Sequence, residues 1–290
     1  MSEEIHVAKA LLRGAILGLN AYIKPGGLHR LMPSKIFDEV ACNLVASIDY
    51  IVEAVNLGVK IREGKIAATG VDYSKLYSGA LRDVYRICDS THPEYIIPLT
   101  VLGLTIGLSN VESILEESNK FKKAMDTVNA VSKWSDLKQL IDVLRAVKRS
   151  EMYEHLQSVG YTQIALIQSG ITFNDVYRVL SSKWRGFSII DSRESLVFGY
   201  LKRFIELNKE FRALDNTVIA FYMDLIKQHI PQVFQDKVKA VEACRYMATP
   251  ECAKSMYELD MLFRKNKLSF EWASEITVLI SALGSYEGLK

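Results

Sequence analysis

The chain has 290 residues, 36 Lys and Arg against 34 Asp and Glu, and a formal net charge of +2. So even a balance leaves no basic footprint for a nucleic acid or an anionic membrane surface. With 49% apolar and 24% charged residues the composition is that of a globular chain, and 6 prolines and 16 glycines are few enough to allow long uninterrupted helices.

Apolar residues return every three to four positions almost throughout, so the expected fold class is all-α: about ten to thirteen helices. Linkers are short and none has the composition of an interdomain tether, which favours a single domain over residues 1–290. Leu11, Ile16 and Leu19 mark the first helix. A second runs from Ser34, a natural N-cap, to Leu57, with Ile36, Val40, Leu44, Ile48 and Val52 on one face. A third spans Tyr73 to Cys88 on Leu76, Ala80, Leu81, Val84 and Ile87. Further helices are expected at 94–108, 110–128, 135–148, 162–168, 173–183, 192–213, 215–228, 232–248, 250–265 and 270–284. Ser135, Thr172, Asp191, Asp215 and Ser269 stand where caps belong. The candidate strand is Phe187 to Ile190.

Cys42, Cys88, Cys244 and Cys252 show no C-x-x-C spacing and no metal-ligand spacing to histidine, and read as buried thiols in a reducing compartment. The first six residues carry a Ser, two Glu and a His where a secretory signal needs a basic region before an apolar run. The most apolar stretch, Tyr95 to Leu108, is too short to span a bilayer as a helix. A cytoplasmic protein without membrane or nucleic-acid partners is expected. A homodimer is compatible with this size, though no heptad run specifies one.

Three stretches carry candidate chemistry. In Lys24-Pro25-Gly26-Gly27-Leu28-His29-Arg30, proline stiffens a turn and two glycines free its amides to converge on an anion, with cations on both sides. An ordinary interhelical turn has the same composition. In Asp89-Ser90-Thr91-His92-Pro93-Glu94, a histidine between acids precedes the apolar segment, which suits either a general acid or base or a helix cap. Asp260 and the pair Glu271 and Glu275, four residues apart on one helix face, could hold a divalent ion or simply complement a helix dipole.

Taken in order, these stretches resemble the triphosphoribosyl-dephospho-CoA synthase family, including its archaeal relatives. There a Lys-Pro-Gly-Asn-Val-like turn follows the first helix, an Asn-Thr-His-x-Gly segment leads into an apolar helix, and an Asn-Pro-Gly-(Thr)-x-Ala-Asp segment opens the last. Lys24, Pro25, Gly26, His29 and Arg30 match the first, Thr91 and His92 the second, and Leu259-Asp260 with Glu275, Ile276 and Thr277 the third. The resemblance implies an all-α transferase that moves the triphosphoribosyl group of ATP to 3′-dephospho-CoA, releasing adenine, with Mg²⁺ as cofactor. It further implies that Lys24, Gly26, Gly27, Arg30 and Thr91 bind phosphate or nucleotide, that His29 and His92 move protons, and that Asp260 and Glu275 position the metal. Gly18, Gly27, Ser90, Glu94, Ser269, Phe270 and Glu271 depart from the motifs. These departures support an alternative, a catalytically silent relative serving as a helical scaffold for protein association.

Overall fold

The computed structural model describes residues 3–32, 34–130 and 133–289. Among these the protein is all-α, as expected, with fifteen α-helices joined by short turns and no strand. The helices are α1 (Glu3–Leu19), α2 (Lys35–Ala46), α3 (Ile48–Arg62), α4 (Gly79–Cys88), α5 (Pro93–Ser109), α6 (Ser118–Ala130), α7 (Trp134–Ala146) and α8 (Ser150–Ser158). They continue as α9 (Gln163–Gln168), α10 (Phe173–Ser181), α11 (Leu196–Phe211), α12 (Leu214–Ile226), α13 (Gln235–Ala243), α14 (Pro250–Lys265) and α15 (Glu271–Tyr286).

The apolar run of the sequence is the axis of the core. Every residue of α5 except Leu108 is buried, which a helix without a polar face requires. On its flanks lies α3, and the first helix, α1, packs most extensively against the last, α15. That approach is close: a Cβ at Gly18 would sit 2.8 Å from Ser281 Oγ, so the position has no room for a larger side chain. No single helix among the described residues is long and apolar enough to cross a membrane. The pair α2 and α3 reaches that length only jointly, across a 43° bend.

Several expectations change on contact with tertiary structure. The helix expected from Ser34 to Leu57 is two, broken at Ser47, whose hydroxyl turns back to donate to the Leu44 carbonyl. Tyr73 to Cys88 starts with a wide π turn at Ser74–Ser78, its amide at Lys75 capped by Asp72. Residues 110–117 form turns rather than helix, because Ser113 donates to the Glu287 carboxylate at the far end of the chain. Phe187 to Ile190 is not a strand but part of a 3₁₀ turn, Arg185–Ile189. The helix expected at 192–213 opens later, at Leu196, since Asp191 accepts from Asn174 Nδ2 and the Arg193 amide instead of capping it. Helix α8 was not expected; only Met152 and Leu156 are buried in it, too few to show a period. Ser135 and Asp215 fall inside their helices, and Ser269 lies one residue ahead of the N-cap Phe270.

Thr172 does cap α10, in a reciprocal capping box with Asp175. Thr172→Ala should cost about 1 kcal/mol in urea unfolding.

The reading of four free thiols fails. Cys42 is bonded to Cys88 and Cys244 to Cys252, with Cα atoms 5.9 and 5.6 Å apart, a geometry that no spacing rule reveals because helices α2 and α4 bring the first pair together. The thiol argument for a reducing compartment goes with it.

Candidate functional site

The Lys24–Arg30 turn and Asp260 do meet, but as a locked joint. Gly26 takes φ of 72°, and its amide donates to Asp260 Oδ1 at 2.8 Å. The Gly27 amide is bonded to the Lys24 carbonyl, and the Leu28 amide to Ser274 Oγ at 3.0 Å. Tyr222 donates to the Pro25 carbonyl, and the Phe270 amide to that of Gly26. These amides cannot also grip a phosphate. Lys24 itself is fully buried and donates to the Gly18 carbonyl at 2.7 Å; burial without a countercharge pulls its ammonium from 10.5 down to about 7. Arg30 lies on the outer surface, stacked 3.7 Å from the centre of the Tyr22 ring.

Asp260 is equally committed. Its Oδ2 receives Arg264 Nε at 2.8 Å and lies 3.2 Å from His29 Nε2. Burial opposes its ionisation, but His29, Arg264 and the Gly26 amide outweigh that and hold the carboxyl below its ordinary range. His29 is only 1% exposed and sits beside Arg264, which also donates to the Gly27 carbonyl. His29 and Asp260 thus fasten α14 to the turn, and neither borders a cleft. As a pair for Mg²⁺, Asp260 and Glu275 do not fit: the first has both oxygens bonded, and the second borders a different space. No group of three His, Cys, Asp or Glu side chains among the described residues is placed to hold a metal ion.

Chemistry is concentrated next to this joint, in an open cleft of about 370 Å³. Leu28 forms part of its wall, followed by His92, Glu94 and Tyr95 from the start of α5, and Arg149 just before α8. Lys183 and Trp184 border it beyond α10, and Glu271, Trp272 and Glu275 come from α15. Of the expected site residues, His92 and Glu275 are here. Thr91 is close by but buried, its carbonyl accepting from Arg149 at 2.8 Å while its hydroxyl has no partner among the described residues.

His92 is held at three points. Its amide donates to the wholly buried Asn43 Oδ1 at 2.6 Å, Nδ1 lies 3.0 Å from Glu94 Oε1, and Nε2 lies 3.4 Å from Glu39 Oε2. Asn43 also donates to the Ser90 carbonyl, and the adjacent Cys42–Cys88 bond ties α2 to α4 at the root of the same segment. Burial disfavours the imidazolium, yet the hydrogen bond and charge of Glu94 prevail and raise His92 above its usual range.

The two carboxyls are driven apart. Glu94 accepts Arg149 Nη1 on Oε2 at 2.9 Å; burial works against its charge, but Arg149 and His92 bring it down to about 2. Glu275 is bonded to no cation among the described residues, and the charge of Arg149 only partly offsets its shift. Burial first, then the charge of Glu94, raise it well above the ordinary range, although the Gly186 amide donates to its Oε2 at 2.7 Å. The two carboxyls are thus shifted in opposite directions, Glu94 toward the ionised form and Glu275 toward the protonated one, the separation that lets a pair divide acid and base work.

Backbone detail makes this contact. Pro98 has no N–H to give the Glu94 carbonyl in the first turns of α5, and Gly186 packs against that carbonyl so closely that a Cβ would run into it. Gly186 is thereby aimed at Glu275. Sequence reading missed Arg149, Asn43, Lys183 and Gly186. Arg149 sits in the charged Lys120–Lys148 neighbourhood, where nothing marks one cation from another. The proline four residues after Glu94 was the available signal. No family model, no curated protein and no solved structure matches the chain.

Proposed function

We propose that the chain is an acid–base group-transfer enzyme acting at the sugar carbon of a nucleotide-type small molecule, with the cleft between α5 and α15 as its active site. The observation that carries this reading is the placement of Glu94, paired with Arg149, and Glu275, buried and shifted the opposite way, in one open, tryptophan-lined cleft. Protonated Glu275 would give its proton to the leaving group. The Glu94–Arg149 pair would stabilise the positive charge that develops at the sugar, and His92 would relay a proton to or from the attacking group. The triphosphoribosyl transfer implied by resemblance lies within this class. Its triphosphate grip lacks support in the turn at Lys24, and no step is assigned to Mg²⁺.

A buried acid that keeps its proton for chemistry costs stability wherever the unfolded chain would release it. The folded value of Glu275 is raised, so that cost grows as pH rises above about 4.5. Glu275→Gln keeps an oxygen for the Gly186 amide. The variant should match the parent in urea at pH 4, exceed it by at least about 1 kcal/mol at pH 8, and lose turnover on any substrate found. A parent that is equally stable relative to the variant at both pH values would remove the protonated acid and the proposal with it.

One arrangement favours the scaffold alternative: the Gly26, Gly27, Leu28 and Arg30 amides are internally bonded and the Phe270 ring covers Gly26. Turnover lost in Glu39→Gln and Glu275→Gln alike would exclude a silent scaffold.

A further inference from the structure

The charges around the cleft restrict what it takes. Arg149 is already bonded to Glu94 and Glu151, and His92 lies between Glu94 and Glu39. Lys24 is sealed in the core, and Arg30 is stacked on Tyr22 away from the lining. Among the described lining residues, Lys183 is the cation without an acidic partner, and it is exposed at the rim. A polyphosphate demands several unpaired cations or free amides; this rim supplies one ammonium, and the carboxylate of Glu271 borders the same cleft.

Two indoles accompany it. Trp184 and Trp272 are half-buried, and each has a histidine packed across it, His155 at 5.8 Å and His229 at 5.1 Å between ring centres. His155 is held in turn by Ser182 Oγ at 3.1 Å. Rings fixed in this way and still open to a polar cleft offer flat surfaces, on which a base stacks for about 1–3 kcal/mol. The volume, about 370 Å³, is near the lower end of small-molecule sites and leaves no space for ATP and a CoA-type acceptor side by side.

Resting on the acid–base reading, we infer that this cleft binds a nucleoside monophosphate, its base against Trp184 or Trp272 and its single phosphate at Lys183. The sugar then lies between them, over Glu94 and Glu275.

Fluorescence titration tests this in a Trp134→Phe background, which leaves the two cleft indoles as the emitters. The probes are AMP, GMP, ribose 5-phosphate, inorganic phosphate and ATP, the last with and without Mg²⁺. AMP or GMP should quench saturably, with ATP no tighter. Lys183→Gln should weaken the monophosphate roughly tenfold, about 1.4 kcal/mol, and Trp184→Phe or Trp272→Phe should remove part of the quenching. Ribose 5-phosphate binding as tightly as AMP would overturn the base-stacking assignment, and ATP binding more than tenfold tighter would overturn the monophosphate class; both leave the acid–base cleft standing. Absence of binding by every probe overturns the ligand class, whereas the pH-dependent gain of Glu275→Gln independently reports on the acid.

Discussion

Lys24→Met should stabilise the protein in acid and lose that advantage as the solution is made alkaline. The folded value of Lys24 is depressed, from 10.5 to about 7, so the parent's unfolding free energy rises with pH across that interval, where the unfolded chain binds the extra proton. At about 1.4 kcal/mol per pH unit, the burden of the buried charge is roughly 5 kcal/mol below pH 7. Methionine removes it and fills similar volume, but leaves the Gly18 carbonyl without its donor, a loss of about 1–3 kcal/mol. The net gain expected at pH 6 is therefore about 2–4 kcal/mol, falling to zero or below by pH 10. Guanidinium unfolding at the two pH values measures it. A variant destabilised equally at both would mean that the ammonium has a countercharge or water within reach.

The second large effect belongs to Arg149. Its guanidinium and the Glu94 carboxylate are 13% and 7% exposed, and Arg149→Met strands the acid in the core. Losing one partner of such a pair costs about 3–5 kcal/mol. Glu94 has a depressed value, so its contribution is complete above about 4.5 in the parent and is lost as pH falls from there toward 2. Arg149→Met should erase that acid limb, because the stranded carboxyl takes up its proton on its own. Adding Glu94→Gln to the variant should recover much of the loss at pH 7, and the double-mutant cycle gives the coupling. If the two single losses simply add, the pair is not a unit and the low value assigned to Glu94 falls with it.

How far the sequence could be read varies with the kind of force involved. The spacing of apolar residues reports which face is covered, so α5, α14 and α15 were anticipated within a residue or two of their ends. Breaks are a different matter. Ser47 interrupts a run whose pattern is continuous on both sides, and the turns at 110–117 depend on Glu287, a partner more than 170 residues away. The same division runs through the site. His92 and Glu275 stood out because a histidine before proline and paired acids on a helix are unusual locally, and both reached the cleft. Lys24, His29 and Asp260 also stood out, yet they meet to fix a turn. Composition cannot distinguish amides that await a ligand from amides already bonded to Ser274 and Asp260. Arg149 matters only because it meets Glu94, 55 positions earlier in the chain.

The pairing of α1 with α15 bears on how the molecule is made. Helix α1 is synthesised well before α15, its main neighbour, and the turn after it is pinned by Asp260, Arg264 and Ser274. During synthesis α1 must wait, the face that α15 covers left open, until residues 271–286 have emerged. The cleft inherits that delay, for Glu271, Trp272 and Glu275 are supplied by the same late helix. A nascent chain halted before residue 270 would carry most of its helices and a cleft without the wall that α15 supplies.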